Sequence, residues 1–167
     1  VNFQQLEDFV REVAISSGLV ESRANLLSKL LVENDLRGVF THGTRQICKY
    51  AMHMLKNELN TDPKISVIRE TSVSLILDGD GGLGYFPMYE GMLRIIEKAR
   101  SSGVAMLQTR NHGHIGAAGI YSRMPLEHNF AAFVTAGGGL NLKPNQPVYT
   151  PAIGAPISIS APSGEEP

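Results

Sequence analysis

Cysteine is nearly absent: Cys48 is the one thiol in 167 residues, so the chain can form neither an internal disulfide nor a cysteine-based metal site, which favours a reducing compartment. Long apolar runs are missing too. None approaches the roughly 18 residues of a spanning helix, and the N-terminus lacks the basic-then-apolar order of a secretory signal. The expected location is the cytoplasm. No block of one charge sign occurs either. Lys+Arg number 15 against 16 Asp+Glu, a formal net charge of -1, which gives nucleic acid or an anionic membrane no electrostatic hold. A small neutral or singly charged ligand is the partner this balance leaves open.

What is present is ordinary globular material. With 43% hydrophobic and 19% charged residues, the chain suits one domain with a sizeable core or one part of a larger protein. Asn2 with Gln5 three residues on reads as a capping box, followed by Phe3, Leu6, Val10 and Val13 at helical spacing up to Gly18. A second helix is expected from about Ser22 to Asp35, with Leu27, Leu30 and Leu31 on one face. Thr41 can cap a third, placing His42 and Gly43 in its first turn. His42, Arg45, Gln46 and Lys49 then share one face, while Ile47, Tyr50, Ala51 and Met54 share the core face.

Two strands are expected next, Ile65 to Ile68 and Val73 to Leu77. The second runs into Gly79-Asp80-Gly81-Gly82-Leu83-Gly84, a G-x-G-x-x-G pattern between a strand and a helix opened by Pro87. Asp78 and Asp80 bracket the loop and would repel a pyrophosphate, so a glycine-rich turn is the preferred reading and a dinucleotide loop the alternative. The loop also imitates the start of an EF-hand, but its twelfth position is Tyr89, not Glu.

The densest chemistry lies at Arg110-Asn111-His112-Gly113-His114-Ile115-Gly116-Ala117-Ala118-Gly119-Ile120-Tyr121. It follows an apolar run, Val104 to Leu107, that reads as a buried strand, and it leads toward a helix. Small residues from Gly116 to Gly119 leave room for a ligand to lie on the backbone. Histidine can take a proton from a substrate hydroxyl near neutral pH, and an arginine fork can fix a carboxylate. The alternative is a metal-dependent lyase or hydrolase built on His112 and His114, with His42, His53 or His128 as a third ligand. Beyond it, Phe130 to Val134 reads as a strand, Gly137-Gly138-Gly139 to Pro147 as a long loop, and Ile157 to Ser160 as a strand whose neighbour the sequence does not identify. An unassigned partner strand is what the leading portion of a longer protein would show.

The motifs Asp35-Leu36-Arg37-Gly38 with Thr41-His42-Gly43, the Asp78 to Gly84 loop, Ile96-Glu97-Lys98-Ala99-Arg100, and Arg110-Asn111 with His114, Gly116-Ala117-Ala118-Gly119 and Tyr121 occur in an order and spacing that resembles the malate/L-lactate dehydrogenase family. That family includes ureidoglycolate and sulfolactate dehydrogenases and is distinct from the Rossmann lactate dehydrogenases. The resemblance runs from about Leu6 to Pro162. It implies a NAD(P)-dependent oxidoreductase of a small 2-hydroxy acid, usually a homodimer, with a family-specific non-Rossmann α/β fold of N-terminal helices followed by a mixed sheet with packed helices. On this reading residues 1–58 form a helical region contributing to the substrate site, and 59–167 begin the cofactor-binding domain.

The resemblance also implies roles. His114 and His42 are the expected catalytic pair, Arg45 and Tyr50 the expected substrate contacts, and His114, Gly116, Ala117, Gly119 and Thr135 the expected neighbours of NAD or NADP. Three positions depart from the family pattern: Gln46 replaces an arginine, Ala136 an asparagine, and Gly154-Ala155-Pro156 shortens a turn. A catalytically silent relative retained for dimerisation is the alternative those departures suggest.

Overall fold

The computed structural model describes residues 2–137 and 156–164. They divide into two units, Val1–Ala117 and Ala118–Pro167. All but Gly137 of the loop expected from Gly137 to Pro147, and Gly154 and Ala155 of the shortened turn, lie outside the described residues.

The first unit opens with α1 (Phe3–Ser16), and its capping box forms as read. Asn2 Oδ1 accepts from Gln4 N at 2.9 Å while Asn2 N donates to Gln5 Oε1 at 3.3 Å, so donors left over at the helix start are satisfied in both directions. Val10 and Ala14 face inward, but Phe3 is exposed. The next helix, α2 (Glu21–Leu36), buries Ala24, Leu27, Ser28, Leu30, Leu31, Val32 and Asn34. Burial spread so far around a helix marks a central element packed on more than one side. Here α1 lies on one side, and the segment that carries His42 lies on another.

That segment departs from the expected helix. Two 3-10 turns, Phe40–His42 and Thr44–Gln46, precede α3 (Ile47–Leu55). The break has a local cause: Gly43 is extended at φ −90° and ψ −153°, and the Thr41 hydroxyl lies 2.9 Å from His42 Nδ1, not on a backbone N–H of the next turn. The cap comes from a distance instead. Asp35, at the end of α2, accepts from Thr44 N at 3.1 Å and from Thr44 Oγ1 at 2.5 Å. The core face of α3 is as expected, with Ile47, Tyr50, Ala51 and Met54 buried.

A mixed sheet follows. Strand β1 (Ser66–Glu70) pairs antiparallel with β2 (Ser74–Asp78), and β2 pairs parallel with β3 (Met106–Arg110) from Ser74↔Met106 to Asp78↔Arg110. The parallel pair needs a crossover, supplied by α4 (Tyr85–Ser102), which starts two residues ahead of Pro87 and stops at Gly103 in the left-handed region, φ 78°. Leu75 and Leu77 of β2 and Phe86, Met92 and Ile96 of α4 are buried, and α4 packs on both β2 and β3. Gly91 permits that contact, because a Cβ there would lie 2.5 Å from Leu107 Cδ1.

The second unit holds α5 (Ala118–Arg123), a 3-10 turn Met124–His128, and strands β4 (Ala132–Thr135) and β5 (Ile157–Ser160). The strand left without a partner by the sequence pairs antiparallel with β4, from Ala132↔Ser160 to Thr135↔Ile157. Buried Ser122 ties α5 to this ribbon, its hydroxyl 2.8 Å from Ser158 Oγ and 2.9 Å from Ser160 Oγ.

Candidate active site

The glycine-rich loop between β2 and α4 builds the site, though not by holding phosphate. It runs beside the extension of β3 and is laced to it through the backbone. Gly79 N donates to Arg110 O at 2.9 Å, Gly81 N to Asn111 O at 2.9 Å, and Gly84 N to His114 O at 3.0 Å, while Gly113 N donates to Gly82 O at 2.8 Å. The glycines are required by this close approach: a Cβ on Gly84 would meet His112 Nδ1 at 2.6 Å, and one on Gly82 would meet Pro63 Cγ at 2.6 Å. Asp78 secures the junction by accepting from Asp80 N at 2.9 Å and Asn111 Nδ2 at 2.7 Å. The Asn111 amide, aided by the Asp80 backbone and Arg110, holds its carboxyl below the usual carboxylate range. The loop is therefore the structural glycine-rich turn rather than a dinucleotide loop, because the chain itself occupies the space and the donors a pyrophosphate would need.

His112 and His114 leave this scaffold with different fates. His112 Nδ1 lies 2.8 Å from Gly113 O and donates to it, and Nε2 lies 2.8 Å from Thr109 Oγ1. Both nitrogens are committed, so His112 cannot join His114 as a metal ligand. Among the described residues no group of three His, Cys, Asp or Glu side chains is placed to hold an ion, and His53 is bonded to Glu58 at 2.5 Å.

His114, by contrast, meets the expected residues of the helical region. Its ring centroid is 5.6 Å from that of His42, and its Nδ1 is 2.6 Å from the Tyr50 hydroxyl. Tyr50 is 2% exposed, and its hydroxyl lies 3.2 Å from that of fully buried Tyr85. His42 is aimed by α2, since Asn34 Nδ2 donates to His42 O at 2.9 Å and Asp35 pins the following turn. Burial, and after it the charges of His42 and Lys49, push the His114 pKa below the ordinary histidine value. Burial drives the Tyr50 phenol up to about 12, opposed by its bond with Tyr85. The imidazole is thus neutral near pH 7, and the phenol beside it does not ionise.

The other expected positions are scattered in function. Arg45 is exposed and forms no ion pair among the described residues. Gln46 Nε2 donates to Thr41 O at 2.6 Å and so braces the turn carrying His42. The space left by Gly116, at φ 77°, is filled by Tyr85, whose hydroxyl would be 2.4 Å from a Cβ there; the space at Gly119 is filled by Arg123 Nη1 at 2.8 Å. At both glycines the side-chain space is thus taken by a neighbouring side chain. Ala117 is half-buried at the end of the first unit, and Thr135 is exposed at the end of β4 in the second. Tyr85 was missed by sequence reasoning. Its only signal was its place directly after the glycine loop.

With this geometry in view, comparison with known proteins is decisive. The family model described as malate/L-lactate dehydrogenase matches residues 1–167. The chain belongs to that family. It is 32% identical over 170 residues to a malate dehydrogenase of Pyrococcus abyssi, covering 98% of this chain and 45% of that protein. An L-sulfolactate dehydrogenase of Methanocaldococcus jannaschii is 28% identical over 134 residues, covering 80% of this chain and 37% of that protein. Among solved structures, malate dehydrogenase from Pyrococcus horikoshii superposes with a TM-score of 0.86 at 31% identity, covering 99% of this chain and 48% of that one. The chain thus spans less than half the length of these relatives.

Proposed function

We propose that the chain is the acid–base and substrate-orienting portion of an oxidoreductase that moves a hydride between NAD(P) and a small 2-hydroxy acid of the malate or lactate kind. The observation that carries this is the meeting of His42 and His114, 72 positions apart in the chain, at 5.6 Å between ring centroids. In the oxidation direction the substrate hydroxyl proton goes to His114 Nε2, the nitrogen that faces away from Tyr50, as the carbonyl double bond forms. The lowered pKa favours the neutral base that this step requires. His42 and Arg45 orient the carboxylate, His42 as a hydrogen-bond donor and Arg45 as a charged fork. Tyr50 acts on the substrate through His114.

A nicotinamide cofactor, when bound, supplies the hydride acceptor. The donor set around His114 fits the proton-transfer half of that chemistry. Tyr85 and Arg123 take up the side-chain space at Gly116 and Gly119, so a dinucleotide beside these glycines would meet those two side chains as well. His114, Gly116, Ala117, Gly119 and Thr135 are the proposed neighbours of the cofactor.

The test is NAD(P)H oxidation with a panel of 2-keto acids, comparing the wild-type chain with His114→Ala, alongside fluorescence titration of NADH and NADPH. Loss of turnover by roughly 10²-fold or more in His114→Ala is expected for removal of a general acid–base group. Equal rates remove His114 from the mechanism. Binding of neither nucleotide points to the silent dimerisation module instead.

A further inference from the structure

We propose that Tyr85 is a positioning residue for His114: its hydroxyl receives the proton of the Tyr50 hydroxyl, which frees Tyr50 to accept from His114 Nδ1–H and leaves Nε2 bare as a base. The inference deepens the proposed function, and it relies on that reading only for which nitrogen meets the substrate.

A phenol has one proton and two lone pairs. If Tyr50 donates to Nδ1, a neutral His114 carries its proton on Nε2, and the nitrogen available to the substrate is no base. If Tyr50 turns its proton toward Tyr85, the same 2.6 Å contact with Nδ1 is kept with the donor reversed, and Nε2 is unprotonated. The second arrangement needs an acceptor for the Tyr50 proton within hydrogen-bond range. At 2% exposure Tyr50 has little access to solvent for that purpose, whereas Tyr85 Oη lies 3.2 Å away. The exchange is a rotation of the hydroxyl and involves no ionisation, since either phenol of the pair can be the donor.

Tyr85 is held where this requires. It is fully buried in the first turn of α4, its hydroxyl seated over the missing side chain of Gly116. Its ring stands edge-on to Tyr50, at 6.0 Å and 74°, and to His114, at 6.5 Å and 83°. The groups that act on His114 from the surrounding elements are His42 from the 3-10 turn, Lys49 and Tyr50 from α3, and Tyr85 from α4. The electrostatic influence of His42 and Lys49 disfavours the imidazolium; which neutral tautomer remains is a separate choice. That choice falls to the tyrosine pair.

The experiment needs neither cofactor nor substrate. Long-range ¹H–¹⁵N NMR of the imidazole nitrogens, above the His114 titration, reports the tautomer in the wild-type chain, in Tyr85→Phe and in Tyr50→Phe, with thermal melts confirming that each is folded. The wild type is expected to hold the Nδ1–H form as its major neutral species. Tyr85→Phe is expected to shift the ratio toward Nε2–H by roughly tenfold, the effect of leaving a buried hydroxyl proton one acceptor. A wild type with Nε2–H alone, or the same ratio in wild type and Tyr85→Phe, overturns the proposal; the wild-type measurement decides even if a variant does not fold. A tautomer shift in a chain that turns over no 2-hydroxy acid keeps the role of Tyr85 and removes the proposed function, so the two fail separately.

Discussion

Gly43→Ala probes the contact that aims His42. Backbone angles of φ −90° and ψ −153° are open to any residue, so the added methyl carries no dihedral penalty. Its cost is steric: the new Cβ would lie 1.7 Å from Asp35 Oδ1 and 2.5 Å from Asp35 Cγ. Asp35 must swing aside and give up its bonds to Thr44 N and Thr44 Oγ1. Hydrogen bonds to a charged group contribute about 1.5–3 kcal/mol each, and water recovers part of that for a half-buried carboxylate, so a net loss of roughly 2–3 kcal/mol is expected. At about 2–4 °C per kcal/mol for a chain of this size, Tm falls by about 4–12 °C. Asp35→Ala removes the same bonds and, with them, the obstacle. Gly43→Ala added to Asp35→Ala should therefore cost no more than about 0.5 kcal/mol further. Urea denaturation followed by circular dichroism gives the values needed for this cycle. A Gly43→Ala cost that persists undiminished without the Asp35 carboxylate refutes the reasoning.

Two further outcomes follow from the electrostatics around His114. Lys49→Met removes one of the charges that disfavour the imidazolium, so the His114 midpoint in an NMR titration should move up; an unchanged or lower midpoint places Lys49 too far away to act. Because the folded pKa of His114 lies below the unfolded value of about 6.5, the unfolded chain takes up the extra proton first. Stability from this group is full above that value and is lost as pH falls from it toward the folded pKa. His114→Gln should flatten the acid side of a plot of urea midpoint against pH, and identical slopes in the two proteins contradict the assignment.

The fold was legible where the determinants are local. Asn2 and Gln5 lie three residues apart and cap one helix turn, and the core face of α3 repeats at helical spacing, so both are visible in a short window of sequence. The start of α3 was not. Thr41 has the chemistry of a cap, but the carboxylate that serves the turn belongs to Asp35, nine residues from Thr44 on the end of another helix. No periodicity encodes that reach. For the same reason the partner of β5 stayed hidden, since β4 lies more than 20 positions earlier in the chain.

The site shows a deeper ambiguity of pattern. A run of glycines after a strand reports that something must approach the backbone closely and that N–H groups are turned toward it. A phosphate and a neighbouring strand extension make that same demand. What separates the two is whether the donors are spent. Here Gly79, Gly81 and Gly84 donate to Arg110, Asn111 and His114, and Gly82 donates back to Gly79, which leaves no array of free N–H groups for an anion. The loop's product is the placement of His114. Tyr85, directly after its last glycine, then reaches Tyr50 across 35 positions while Tyr50 reaches His114 across 64, so the residues that set the imidazole's state become neighbours only once β2, α4 and β3 have packed.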